Sequence, residues 1–242
     1  MSLYIIGFGC GSYENMTIQA KRSILNCDVI VGYTVYIDLI KQYFPNKEYL
    51  STGMKKEVDR CRLAIEKTLE GSNVALICSG DSVIYGMASL VYQLAEEYPP
   101  IDIVVVSGVT SAVSGSALIG SPITNDFAVI SLSDLLTPKD VISKRLEGAS
   151  MGDFVICLYN PSSKKRADYL SWACDIVLKY RDENTICGYA QNIGRVGQSY
   201  KILTLKELKN STVDMFTTVF IGNSQTRVIN GKMVTPRGYI IK

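Results

Sequence analysis

The 242-residue chain has no histidine. That absence excludes His-based nucleophilic triads, His metal ligands and imidazole acid–base chemistry. Any proton transfer must use Asp, Glu, Lys, Tyr, Cys or water. The seven cysteines contain no C-x-x-C pair, so zinc or an iron–sulfur cluster has no local support, and no metal is expected. Most of them sit in apolar runs, Cys78 and Cys157 on strands and Cys61 and Cys174 on helix faces, where a thiol acts as a small buried hydrophobe. No apolar run is long enough for a transmembrane helix, so no membrane association is expected. The net charge is only +2, and without a basic stripe nothing points to nucleic acid. Met1-Ser2-Leu3 runs straight into Tyr4-Ile5-Ile6-Gly7 without a basic n-region or cleavage site, which predicts a cytoplasmic protein.

What is present is an ordinary globular balance, 47% hydrophobic and 20% charged, with enough chain for one large or two small domains. The organising stretch is 74–88. Val74-Ala75-Leu76-Ile77 suits a buried parallel strand. Ser79-Gly80-Asp81-Ser82 is a tight turn. A helix is then predicted from near Tyr85, with Ala88, Val91, Tyr92 and Ala95 on one face. In open α/β sheets ligands sit beyond the carboxyl ends of strands. By itself the turn reads first as an ordinary strand–helix link with an Asp N-cap.

Glycine turns recur at strand ends. Leu3–Ile6 leads into Gly7-Phe8-Gly9-Cys10-Gly11. Val29–Val31 leads into Gly32-Tyr33, and Ile101–Val106 into Ser107-Gly108-Val109-Thr110. This repetition predicts a parallel sheet with a ligand crevice at one edge. The first glycine run is not a dinucleotide fingerprint. The loop Tyr13–Met16 separates it from the helix that Thr17 caps, and Asp28 opens the next strand instead of closing it. Further helices are predicted near Asp38–Phe44 and Glu57–Leu69. Gly120-Ser121-Pro122 marks a boundary, giving an N-terminal α/β domain over 1–120 and a C-terminal one over 121–242. Strands in the second are predicted at Phe127–Leu132, Asp153–Leu158, Thr185–Tyr189, Tyr200–Leu203 and Thr217–Ile221. Helices are predicted near Pro138–Leu146 and Lys164–Tyr180, and the tail Met233–Lys242 is a candidate edge strand.

Gly7–Gly11, Met16-Thr17, Ser79-Gly80-Asp81, Tyr85-Gly86, Gly108-Val109-Thr110 and Pro122, in this order, resemble the tetrapyrrole methylases. The resemblance spans the whole chain. Ser51-Thr52-Gly53-Met54, Ile84–Ala88, Ile130–Pro138, Tyr159-Asn160-Pro161 and Thr235–Tyr239 resemble the branch that methylates C-17 of precorrin-3B or cobalt-factor III in cobalamin biosynthesis, with ring contraction. The resemblance implies two α/β domains of the class III methyltransferase type with a cofactor cleft between them. It also implies S-adenosylmethionine as methyl donor, a small-molecule corrinoid substrate and a homodimer.

The same resemblance carries residues over. Cys10, Ser79, Gly80, Asp81, Ile84, Thr110, Ser111, Asn160, Gly188, Tyr189, Ala190, Thr217 and Thr218 are expected at the cofactor. Gly9, Gly53, Met54, Ser133, Asp134 and Arg195 are expected on the substrate side, with Ser133, Asp134 and Thr137 equally able to cap the next helix. Lys55 and Tyr33 align with an acid–base pair of relatives. Each has a plainer alternative, Lys55 as a solvated charge or carboxylate anchor and Tyr33 as a stacking ring. Lys55, Lys56, Arg60, Lys164, Lys165, Arg166 and Arg195 are candidate partners for substrate carboxylates. The chain departs from the family where Cys10 and Ser107 stand for Pro, where Tyr33 stands for Asp, and where Asn125-Asp126 stands for His-Asp. Two other readings stay open: a family member acting on a macromolecule, and a nucleotide-binding module or oxidoreductase.

Overall fold

Val74 to Cys78 are buried at every position, as a strand covered on both faces requires. The computed structural model describes residues 1–163 and 165–240. The chain divides into two compact units, Met1–Ser111 and Ala112–Lys242. In the first, β1 (Ser2–Gly7), β2 (Val29–Tyr33), β3 (Glu48–Thr52), β4 (Val74–Cys78) and β5 (Asp102–Val106) alternate with α1 (Ile18–Asn26), α2 (Thr34–Ile40), α3 (Glu57–Leu69) and α4 (Ala88–Ala95). The sheet is parallel throughout, in the order β3-β2-β4-β1-β5.

Strand periodicity sends alternate residues to opposite faces. Leu3, Ile5, Val31 and Leu76 pack with Cys61, Ala64 and Ile65 of α3 and with Val91 of α4. Ile6, Ile30 and Ile77 pack with Ala20 and Ile24 of α1 and with Ile37 and Ile40 of α2. The first two connections thus cover one face and the next two the other, the arrangement of a doubly wound sheet. The strand order reverses beside β1, so its carboxyl end and that of β4 flank a switch point.

The helix starts and stops have local causes. Thr17 caps α1 by accepting from the Ala20 amide at 3.0 Å, as its position predicts. The helix expected from Tyr85 begins at Ala88. Tyr85 has a φ of 54°, and a Cβ on Gly86 would lie 2.2 Å from the Ser82 carbonyl oxygen. Residues 82–86 are therefore a tight non-helical loop whose backbone closes through Gly86 on Ser82. Tyr92, expected on the inner face, is half exposed. The helix expected near Asp38–Phe44 runs Thr34–Ile40 instead. Phe44 is buried beyond its end, just before Pro45, which disfavours helical backbone at the preceding residue.

The second unit contains α5 (Ser111–Ile119, whose first residue belongs to the first unit), β6 (Gly120–Ser121), β7 (Phe127–Ser131), α6 (Lys139–Met151), β8 (Val155–Tyr159), α7 (Tyr169–Val177), β9 (Ile186–Gln191), β10 (Ser199–Thr204), α8 (Leu205–Lys209), β11 (Thr217–Ile221), β12 (Arg227–Ile229) and β13 (Lys232–Val234). Its main sheet has the order β10-β9-β11-β8-β7, parallel only between β7 and β8. α6, α7 and α8 cover one face through Ile142, Leu146, Leu170, Cys174 and Leu208. On the other, Gly115 of α5 approaches Phe220 and Ile193 so closely that a Cβ would meet each at 3.0 Å. The helix expected over Lys164–Tyr180 begins at Tyr169, and Lys164 lies outside the described residues. The tail strand is shorter than expected. Only Lys232–Val234 pairs, as the middle strand of a small sheet with β12 and β6, while Ile241 and Lys242 lie outside the described residues. No helix among the described residues is long and apolar enough to cross a membrane.

All seven cysteines are buried and free of disulfides. Burial pushes the thiols of Cys27, Cys61 and Cys174 up to about 12 and that of Cys78 to about 11. The thiolate is the reactive form, so a chromogenic thiol reagent at pH 8 is expected to titrate fewer than one cysteine in the native protein within minutes, and the full set after denaturation. Rapid native labelling of several thiols would contradict this packing.

Candidate active site

The carboxyl edge of the first sheet is built from three turns that touch through backbone. A Cβ on Gly7 would lie 2.7 Å from the Gly108 nitrogen and 2.8 Å from the Gly80 carbonyl oxygen. One on Gly108 would lie 2.1 Å from that same oxygen and 2.4 Å from the Gly7 carbonyl oxygen. These two glycines are required by each other and by the turn after β4. Gly80 has a different reason: its φ is +71°, while a Cβ there would meet Thr110 only at an ordinary 3.5 Å. The Gly9 amide donates to the Gly80 carbonyl at 3.0 Å, and the Gly80 amide returns a bond to Gly9 at 2.7 Å.

Asp81, 7% exposed, locks this arrangement. Its Oδ1 accepts from the amides of Val83 at 2.8 Å and Ile84 at 3.0 Å. Its Oδ2 accepts from the Gly108 amide at 2.8 Å. One carboxylate therefore ties the turn after β4 to the turn after β5. Ser82 adds a bond to the Val106 carbonyl at 2.9 Å. The turn presents Val83, Ile84 and Tyr85 exposed. The Cys10 thiol points to the Val109 carbonyl at 3.8 Å. Thus Gly9, Cys10, Gly80, Asp81, Ile84 and Thr110 are gathered by the turns after β1, β4 and β5, with Ser79 and Ser111 next to them in the chain.

A second group forms at the ends of β2 and β3. Tyr33, half-buried, packs edge-on against Tyr36 at 5.2 Å between ring centres. Arg60 of α3 lies 5.7 Å from the Tyr33 ring centre and donates to Thr52 Oγ1 at 2.8 Å and to the Gly53 carbonyl at 3.0 Å. Arg60 therefore brings Tyr33 and the 51–54 turn together. Gly53, Met54 and Lys55 are exposed, and Lys55 holds a φ of 62°.

In the second unit the expected residues separate by face. Ala190 stands opposite Thr218, and Gly188 opposite Phe220, on the face that carries α5. Tyr189 packs against the core beneath α6–α8, and Thr217, paired with Gln191, shares its parity and bonds Asp214 at 2.9 Å. Strand alternation keeps Tyr189 and Thr217 from sharing a surface with the other three. Asn160, with φ 52°, follows β8 and donates to Ser131 Oγ at 2.9 Å. Arg195 lies over Phe216, 5.6 Å from its ring centre. Asn125 is exposed and donates to the Pro236 carbonyl at 3.3 Å. A cavity of about 390 Å³ elsewhere in this unit, lined by Asp153, Arg181 and Ser224 among others, contains none of the expected residues. Among the described residues no group of His, Cys, Asp and Glu is placed to hold a metal ion.

Ser133 and Asp134 belong to a cluster whose other members come from far along the chain. Arg166 donates to Ser133 Oγ at 2.8 Å and to Asp134 Oδ1 at 3.3 Å. The Tyr169 hydroxyl donates to Asp134 Oδ2 at 2.5 Å. That bond is the main cause holding the Asp134 carboxyl below its usual range, with Arg166 acting the same way. The same bond raises the Tyr169 phenol. The proton therefore stays on the tyrosine and the charge on the aspartate, which makes the pair a brace for loop 132–138 and not a proton relay near neutrality. Tyr169 was not legible in the sequence, because its partner is 35 positions away. A depressed carboxyl stabilises the fold above its unfolded value and loses that contribution as pH falls through the folded value. Asp134→Asn is expected to lower the melting temperature at pH 7, and the gap from the parent should begin to narrow below about pH 4, the unfolded carboxyl's range, and go on narrowing as pH falls toward the lower folded value. A gap that does not narrow at all between pH 7 and the acid limit of folding would contradict the brace.

Three comparisons bear on identity. The model of the tetrapyrrole (corrin/porphyrin) methylases matches residues 2–209. The chain is 40% identical over 240 residues to a probable cobalt-factor III C(17)-methyltransferase of Salmonella typhimurium, covering 99% of this chain and 100% of that one. It is 45% identical over 238 residues to the cobalamin biosynthesis protein CbiHC of Archaeoglobus fulgidus, covering 98% of this chain but only 52% of that longer protein. Its fold superposes on the crystal structure of the methyltransferase CobJ with a TM-score of 0.89 at 28% identity, covering 97% and 99% of the two chains. With this match and the glycine-turn edge it runs through, the chain belongs to the tetrapyrrole methylases.

Proposed function

We propose that the chain is an S-adenosylmethionine-dependent methyltransferase of cobalamin biosynthesis that methylates C-17 of cobalt-factor III or precorrin-3B with contraction of the macrocycle. The observation that carries this reading is the end-to-end likeness to the probable cobalt-factor III C(17)-methyltransferase of Salmonella typhimurium, 40% over 99% of this chain. The reading includes a small-molecule corrinoid substrate, no nucleic-acid or membrane partner, a homodimer and a cytoplasmic location.

The carboxyl edge of the first sheet fits the donor. The turns there offer backbone and small side chains, with Ile84 41% and Val83 65% exposed as an apolar lip. Asp81 already has both oxygens on main-chain amides, so it shapes the turn, and Cys10, Ser79, Gly80, Ile84, Thr110 and Ser111 would make the contacts. In the second unit the reading keeps Asn160, Gly188, Ala190 and Thr218. The donor's sulfonium methyl supplies a ready electrophile, so no protein nucleophile is needed. What the chain must contribute is orientation and exclusion of water, which rigid backbone turns do well.

Ring contraction also needs proton transfer, and without histidine it falls to other groups. Tyr33, held against Arg60 and Tyr36, and Lys55 on its exposed turn are the residues we assign. Gly9, Gly53, Met54 and Arg195 are assigned to the substrate side, with Ser133 and Asp134 shaping it through the loop that Arg166 and Tyr169 brace.

The test is incubation with S-adenosylmethionine and either cobalt-factor III or metal-free precorrin-3B, followed by mass spectrometry. One added methyl with ring contraction on either substrate is expected, and no methylation of both would overturn the reading. Asp81→Ala removes three charge-assisted bonds and should destabilise the protein by about 3 kcal/mol and weaken S-adenosylhomocysteine binding in calorimetry. Unchanged affinity would free the donor site from that turn. Lys55→Met and Tyr33→Phe are each expected to slow single-turnover methylation and contraction by about a hundredfold, with substrate affinity retained. Normal rates in both would remove them from catalysis.

A further inference from the structure

We infer that Arg60 and the N-terminus of α3 form a receptor for a carboxylate on the periphery of the tetrapyrrole substrate. The inference rests on the proposed function and names a subsite within it. Arg60 is 4% exposed, yet its acceptors are neutral, the Thr52 hydroxyl and the Gly53 carbonyl. They satisfy hydrogen bonds without neutralising the charge. No carboxylate among the described residues pairs with it. On its own helix Asp59 is taken by Lys56 at 2.9 Å, and Glu57 is exposed with no ion pair. A buried cation without a counter-ion is a costly arrangement.

Position makes the imbalance larger. Arg60 sits in the first turn of the 13-residue α3, whose N-cap residue Lys56 makes no side-chain capping bond. Against the first-turn carboxylates of solvent-exposed Glu57 and of Asp59, which Lys56 holds, the positive end of the helix dipole and the guanidinium have the same sign in one place. Together they favour an anion. Nη1 is the part of Arg60 that can receive it. It has no hydrogen-bond partner among the described residues. The side-chain atom there that is sealed from solvent without a partner is Nε of Arg181, so Nη1 of Arg60 is not sealed.

The subsite lies where Thr52 ends β3 and Tyr33 ends β2, on the carboxyl edge of the parallel sheet where α/β ligands bind. A tetrapyrrole of the proposed class carries acetate and propionate side chains, which are the matching chemistry. A carboxylate bound to Nη1 would pair the buried charge and fix the ring beside Tyr33. The same chemistry could come from the methionine carboxylate of the donor, so the experiment separates the two.

Steady-state kinetics would be measured with cobalt-factor III and with the methyl esters of its side-chain carboxylates, alongside calorimetry with S-adenosylhomocysteine. Arg60→Gln is expected to raise KM for the acid about tenfold or more, to shrink the acid-over-ester preference by a similar factor, and to leave S-adenosylhomocysteine affinity within about twofold. Arg60→Lys, which keeps the charge, should recover most of the preference. An acid-over-ester ratio equal to the parent's would overturn the inference. So would weakened S-adenosylhomocysteine binding with an unchanged KM, which would assign the subsite to the donor. If neither variant melts cooperatively, the native protein carries the test. Guanidinium ¹⁵N signals of Arg60 should shift on saturation with cobalt-factor III, and no shift would overturn it. Parent enzyme that methylates neither substrate overturns the proposed function instead.

Discussion

The Asp81 carboxylate and the backbone it gathers set the geometry of the first unit's ligand edge. Its oxygens bind amides from its own turn and from Gly108 across the sheet. That contact is possible only because Gly7 and Gly108 leave no Cβ between the chains. Three strands can then end within backbone contact of one another, with their turns facing one side. A parallel sheet alone does not ensure this, since its loops normally diverge to reach their helices. Here the turns are fastened before the helices begin, which is why α4 starts only at Ala88 and why a tight loop precedes it.

Charge is distributed unevenly between the units. In the second, Arg166 and Asp134 neutralise each other and Tyr169 takes the remaining carboxylate oxygen, so the loop carrying Ser133 and Asp134 is closed electrostatically. In the first, Arg60 is buried with only neutral acceptors. Both clusters are arginines near strand ends, but only the first leaves a charge without its opposite. This contrast distinguishes a structural brace from a site awaiting an anion. The lack of histidine sharpens it, because no neutral imidazole can adjust its charge to match an incoming substrate.

Several features were legible before any coordinates. Continuous apolar runs mark β1, β2 and β4 because strands buried on both faces admit little else. α3 has the bounds its periodicity predicts, Glu57–Leu69, because Cys61 and Ile65 must face the sheet. The buried thiols follow from their apolar neighbours. β3 was missed, since Glu48–Thr52 is an edge strand with no fully buried position. β12 was missed and β13 only partly anticipated by the tail strand expected at Met233–Lys242, because both are short, β12 pairing with β13 and β13 with distant Gly120-Ser121.

The glycine turns carried the family likeness in sequence, but not the reason for each glycine. Gly80 is set by its own backbone angle, a local property, whereas Gly7 and Gly108 are set by atoms about a hundred residues apart. Likewise Ser79-Gly80-Asp81 announced a strand-end turn, but Asp81's reach to Gly108 depends on β1 lying between β4 and β5. The amino-acid sequence by itself determined the buried strands and α3, the likeness to a methylase and the exclusion of histidine chemistry, because these rest on composition and short-range pattern. Tertiary structure alone decided which side chains meet: Asp81 with Gly108, Tyr169 with Asp134, and Arg60 with Tyr33 and Gly53. Hydrogen bonds and charges act over a few ångströms in space, and the chain positions that come that close are chosen by strand order.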